Sequence, residues 1–177
     1  MNAHTDARAR AHPLRLMAFD VDGILTDGTL YLNDSGEEIK AFNTLDGLGL
    51  KLLQQDGIEI ALITARRSRV VELRAANLGI ERIHQGVDDK LDCYDKMRRE
   101  LGLQWRECAY MGDDLPDLRI LTRCGFAATV PEAPEAVRSR VHYVSEASGG
   151  RGAVREVAEY LLGARGALDR AIERFLV

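Results

Sequence analysis

The chain has 177 residues, with 24 Lys and Arg against 28 Asp and Glu, which is enough for one domain with a proper core and too little for two. Its net charge of −4 leaves no concentrated basic face of the kind that binds nucleic acid, and no window approaches the ~20 apolar residues of a membrane span. Cys93, Cys108 and Cys124 are odd in number and lack CxxC spacing, so they suggest neither a disulfide frame nor a zinc site and fit a reducing cytoplasm.

In chain order, residues 1–13 have no apolar signal core and read as a flexible arm. The run "RLMAFD", 15–20, is near-continuously apolar and of strand length, as expected of a strand buried on both faces. An insert over 28–42 then has two β-prone arms around "NDSG", and reads as an antiparallel hairpin. Further buried strands are expected in "IEIALI", "RIHQG", "CAYMGD", "GFAAT" and "VHYV". Between them, 46–57, 68–79, 90–102 and 115–125 carry apolar residues at helical spacing and end in glycine. After the last strand, "ASGGRG" leads into another helical stretch, and 165–177 reads as a tail behind a domain over 14–164. This alternation predicts an α/β fold, a doubly wound, Rossmann-like parallel sheet whose ligand site lies at the carboxyl ends of the strands.

The charged residues gather at those ends. "FDVDG" closes the first strand with Asp20 and Asp22, and "GDDLPD" places Asp113, Asp114 and Asp117 after another. Carboxylates that close repel unless a cation lies between them or one is protonated, and hard oxygen ligands in that number suit Mg²⁺. Asp114 alone reads equally as a helix cap. Thr64 in "ITAR" and Lys90 after "QGVDD" fall at two further strand ends. A hydroxyl, an ammonium, a cation and a carboxylate together are what phosphoryl transfer to an aspartate requires.

"FDVDG", "ITAR", Lys90 and "GDDLPD", in that order over 16–128, resemble the four motifs of the haloacid dehalogenase superfamily of phosphohydrolases. The resemblance implies that Asp20 is the nucleophile and Asp22 the general acid and base. It further implies Mg²⁺ held by Asp20, the backbone carbonyl of Asp22 and Asp113, with Asp114 and Asp117 behind them. A signalling receiver domain uses similar residues, but its phosphoacceptor follows the third strand, where "RIHQG" has no aspartate.

The hairpin with "NTLDGLGL", "ITARRS", "HQGVDDK" and "GGRGAVREV" is similar to capless members of that superfamily that act on the 8-phosphate of an eight-carbon 3-deoxy sugar acid, in lipopolysaccharide precursor synthesis. The likeness implies a homotetramer joined through the hairpins, and a sugar-acid phosphate bound by Asp22, Asn43, Thr44, Leu45, Asp46, Gly47, Lys51, Arg66, Arg74, Lys90 and Arg151. A carboxylate on the substrate calls for a second cationic contact, for which Arg is suited. Leu45 departs from the arginine common in that subfamily and Leu48 from an aromatic, so the carboxylate contact is missing there or comes from Lys51 or a neighbouring chain. Relatives acting on nine-carbon sialic-acid-type 9-phosphates share the hairpin but tend to carry an acidic residue where this chain has Arg66.

Overall fold

A run such as Leu16–Phe19 can bury both faces only between two helical layers, and the computed structural model, which describes residues 3–176, has that arrangement. In chain order the elements are α1 (Ala3–Ala11), β1 (Leu16–Phe19), β2 (Tyr31–Leu32), β3 (Glu38–Ile39), α2 (Thr44–Gln55), β4 (Glu59–Thr64), α3 (Arg69–Leu78), β5 (Arg82–Gln85) and α4 (Lys90–Glu100). There follow β6 (Cys108–Met111), α5 (Leu118–Leu121), β7 (Phe126–Thr129), α6 (Glu135–Arg138), β8 (Tyr143–Val144), α7 (Ala153–Ala164) and α8 (Leu168–Glu173).

Six strands form one parallel sheet in the order β5-β4-β1-β6-β7-β8, and β2 and β3 pair antiparallel as a separate ribbon. The chain winds outward from β1 through β4 to β5, then crosses back and winds outward again through β6, β7 and β8. Right-handed crossovers in opposite directions put α2 and α3 on one face and α4 and α5 on the other; α7 returns to pack on α2. The reversal falls at β1, flanked by β4 and β6. It is therefore at the carboxyl end of β1 that the loops diverge and a ligand site opens.

The two ends of the chain differ from the sequence expectation. Ala3–Ala11, expected within a loose arm, is a helix whose Ala7 and Ala11 are buried and which packs on α7. The expected tail contains α8, with Ala171 buried. Residues 1 and 2 of the arm and 177 of the tail lie outside the described residues. The hairpin is as expected, its turn closed by Asn33, whose Oδ1 accepts from the N–H groups of Ser35 at 3.1 Å and Glu37 at 2.8 Å.

Candidate active site

The end of β1 is fastened before any side chain acts, because the Asp20 N–H donates to the Met111 carbonyl of β6 at 2.9 Å. Asp20 is thereby set against the loop after β6, and its side chain is buried. One carboxylate oxygen, Oδ1, accepts from the Val21 N–H at 2.7 Å, and the other, Oδ2, lies 2.7 Å from Lys90 Nζ. Lys90 opens α4, whose N-cap is Asp89, and also donates to Asp117 Oδ1 at 2.8 Å. Burial alone pushes the Lys90 ammonium down, but the two carboxylates outweigh it and hold its pKa above the ordinary lysine range.

Asp117 has no exposure and both its oxygens are engaged. Oδ1 also accepts from the Tyr110 hydroxyl at 2.8 Å, and Oδ2 accepts from the N–H groups of Asp113 and Asp114 at 3.2 and 3.3 Å. It therefore shapes the loop that presents Asp113. Asp114 is exposed and caps the short turn after it, accepting from the Leu115 N–H at 2.8 Å, which is the plainer of its two sequence readings.

Asp113 differs from its neighbours in that its buried Oδ1 has no hydrogen-bond partner among the described residues. Burial, then the charges of Asp20 and Asp117, push its pKa from 3.8 to about 7. Asp20 goes to about 6, from burial first and Asp117 second, with Lys90 opposing. Carboxylate oxygens of Asp20, Asp113 and Asp117 lie within 4.8 Å of one another. A buried, partnerless oxygen among raised carboxylates is relieved by a hard divalent cation. These residues fit Mg²⁺: Asp113 offers its partnerless Oδ1, Asp20 would add an oxygen that also meets the Val21 N–H or Lys90, and Asp117 is committed on both of its oxygens.

Gly23 answers why a glycine follows the second aspartate. Its φ is +90°, and a Cβ there would stand 2.1 Å from Asp113 Oδ2, so only glycine lets the two loops meet. Thr64 ends β4, and since Phe19 is level with Leu62, it lies two positions beyond Phe19 on the neighbouring strand. It is buried, and its Oγ1 accepts from the Arg66 N–H at 3.2 Å.

Asp22 faces elsewhere. Its Oδ1 pairs with Lys40 and its Oδ2 lies 3.8 Å from Arg66 Nε. Lys40 comes from the hairpin and contacts Glu38 Oε1 at 3.2 Å, and Arg66 Nη2 donates to that same Glu38 oxygen at 2.9 Å. Burial raises the Glu38 pKa, but the Arg66 and Lys40 contacts help bring it below the ordinary range. Sequence reasoning missed Glu38 and Lys40, and also Tyr110.

The remaining expected substrate residues form two groups. Asn43 caps α2, its Oδ1 accepting from the Leu45 N–H at 2.8 Å, and its carbonyl accepts from Arg74 Nη2 at 3.2 Å. Gly47 packs so closely on Arg74 that a Cβ would lie 2.3 Å from the guanidinium. Arg74 thus buttresses the 43–47 turn. Asp46 is buried, and its two oxygens accept from the N–H groups of Gly152 at 3.2 Å and Arg155 at 2.9 Å, at the start of α7. Thr44, Leu45 and Lys51 are exposed on the turn and on α2. Arg151 is exposed on the glycine-rich loop, 3.7 Å from Asp27, and lines with Gly23, Asp113 and Glu132 a cleft of about 250 Å³. That loop is held close, since Gly150 N–H donates to the Ile24 carbonyl at 2.9 Å.

A parallel sheet reversing at β1, with an aspartate pair beyond that strand and a buried lysine reaching a second acidic loop, defines a phosphohydrolase of the haloacid dehalogenase superfamily. No family model matches the chain, but individual proteins do. The 3-deoxy-D-manno-octulosonate 8-phosphate phosphatase KdsC of Escherichia coli is 42% identical over 166 residues, covering 94% of this chain and 88% of that protein. The crystal structure of the Moraxella catarrhalis phosphatase of the same name, in complex with magnesium ion, phosphate ion and KDO, matches with a TM-score of 0.95 at 45% identity, covering 97% of this chain and 98% of the other. The Yersinia pestis structure matches at 0.90 and 41%, covering 93% and 89%. The chain belongs to the 3-deoxy-D-manno-octulosonate 8-phosphate phosphatase family. Among the described residues no helix is long and apolar enough to cross a membrane.

Proposed function

We propose that this chain is a Mg²⁺-dependent phosphatase that hydrolyses 3-deoxy-D-manno-octulosonate 8-phosphate to the free sugar acid and phosphate, in the cytoplasm, for lipopolysaccharide precursor synthesis. The observation that carries the chemistry is the buried Asp20 carboxylate between Lys90 and the partnerless Asp113 oxygen. The substrate follows from membership of the family.

In this reading Asp20 attacks phosphorus in line, and the bond to the sugar oxygen breaks as Asp22 donates its proton to that oxygen. Asp22 then takes a proton from the water that cleaves the aspartyl phosphate, returning Asp20 as carboxylate and releasing phosphate. Lys90, already paired with Asp20, offsets the charge that builds on the phosphoryl oxygens, and the Thr64 hydroxyl donates to one of them. Asp20, Asp113 and the backbone carbonyl of Asp22 would hold Mg²⁺, which when bound would supply further charge neutralisation at the phosphoryl group. The turn 43–47 faces the sugar through Asn43, Thr44, Leu45 and Gly47, with Asp46 and Arg74 holding it from behind; Lys51, Arg66 and Arg151 supply cationic contacts. Leu30, Tyr31, Leu32 and Ile39 leave apolar surface exposed on the hairpin, which supports assembly of four chains through it.

The test is phosphate release with Mg²⁺ from the eight-carbon 8-phosphate, a nine-carbon sialic-acid-type 9-phosphate and an aryl phosphate. A clear preference for the first is expected, and equal rates on all three would sink the substrate assignment.

A further inference from the structure

The hairpin carries a second feature besides its apolar surface. A lysine on a two-stranded ribbon is ordinarily solvated, and burying an ammonium is costly unless carboxylates surround it. Lys40 nevertheless has only 2% of its side chain exposed, and it reaches two carboxylates, Asp22 Oδ1 and Glu38 Oε1. Glu38 is itself held by Arg66, on the loop after Thr64. Two anions and two cations thus close a neutral group in which each charge meets an opposite one, and the group joins the hairpin to both catalytic loops.

We infer that Lys40 is a positioning residue for the reaction, fixing one oxygen of the Asp22 carboxylate so that the other is presented to the sugar oxygen and then to water. The inference rests on the acid and base role proposed for Asp22. Geometry favours it over simple anchoring of the hairpin. Glu38 alone, already bound to Arg66, would anchor the ribbon, whereas Lys40 extends past it to the one carboxylate whose orientation the chemistry needs. The contact at Oδ1 is the close one, and Oδ2 has only the 3.8 Å approach of Arg66. The insert that looks from sequence like an assembly device is thereby also part of the catalytic apparatus of its own chain.

Turnover of 3-deoxy-D-manno-octulosonate 8-phosphate at saturating Mg²⁺ tests this, measured for Lys40→Met in the native protein and again in an Asp22→Asn background. In the native background kcat should fall about 10–100-fold, part of the ~10²–10⁴ that an acid–base group supplies, with KM changed by less than about 3-fold. In the Asp22→Asn background the same change should add less than about 2-fold, because residues acting through one another do not add. An unchanged kcat, or an equal loss in both backgrounds, overturns the inference; the latter would mean that Lys40 only holds the hairpin. Lys40→Arg restores a cation and should recover turnover, and an Arg variant no better than Met overturns it as well. If Lys40→Met does not fold, Lys40→Gln enters the same cycle with the same expected results. An Asp22→Asn protein as active as the native one overturns the acid–base assignment itself and this inference with it, whereas a crippled Asp22→Asn beside an intact Lys40→Met overturns the inference alone.

Discussion

Asp20 sits on the rigid end of a central strand and faces Lys90 from α4, while Asp22, two positions later, faces Lys40 from the inserted hairpin. Two carboxylates this close in sequence would repel if they shared one environment. The fold separates them by giving each its own buried ammonium, brought from different parts of the chain. The first environment is built at strand ends of the main sheet, from the loops after β1 and β6 and the start of α4, with backbones tied together across β1 and β6. The second depends on a ribbon outside the main sheet. In the proposed mechanism the carboxylate that attacks needs a fixed position and charge compensation, whereas the one that shuttles a proton needs only orientation, and the two environments suit those proposed roles.

The sharpest way to break this pairing is at the carboxylates. Asp20→Asn should abolish phosphate release, and Asp22→Asn should lower it by ~10²–10⁴; undiminished turnover in Asp20→Asn would show that it is not the nucleophile. Stability should separate the two environments next. Lys90→Met leaves Asp20 and Asp117 buried without their cation and should cost about 3–5 kcal/mol in denaturant unfolding, whereas Arg66→Ala, at a half-exposed pair, should cost under about 1 kcal/mol. Asp46→Asn replaces one acceptor at the start of α7 by a donor, and should cost about 1–2 kcal/mol and raise KM by loosening the 43–47 turn.

The smallest effect is one of pH. Asp20 and Asp113 titrate at about 6 and about 7, above the 3.8 of an ordinary aspartate. The folded protein without metal therefore binds more protons than the unfolded chain between about pH 4 and pH 7, and the stability these groups contribute falls as pH rises through that window. Mg²⁺ takes the place of those protons. The rise in melting temperature on adding Mg²⁺ should accordingly be small near pH 5 and largest above about pH 7.5, and a shift independent of pH would argue against Asp20 and Asp113 as its ligands.

The main sheet was legible because its strands are near-continuous apolar runs and its helices end in glycine. The Asp20 environment was legible for a related reason, since each member lies within a few residues of a strand end. What escaped depends on contacts that leave no local pattern. Among the side chains described, helix α1 buries Ala7 and Ala11, too slight a stripe to stand out in "AHTDARARA". Lys40 and Glu38 sit in a stretch whose alternation announces a hairpin and nothing more. Tyr110 read as an ordinary core aromatic of a buried strand, and its hydroxyl acquires a role only once Asp117 folds beneath it. The tie from the Asp46 carboxylate to α7 leaves no local pattern either, since its partners are more than a hundred residues away.

That last distance has a consequence for synthesis. The Asp46 carboxylate sits in the first third of the chain, but the backbone groups that satisfy it are those of Gly152 and Arg155. The glycine-rich loop between them and β8 also lies against the loop that carries Gly23. A growing polypeptide can lay down β1, its two aspartates and the whole of β4 and still have an unfinished turn beside them. The 43–47 turn is tied down only when α7 emerges, so a nascent or prematurely terminated chain that stops before it carries the motif residues without that support.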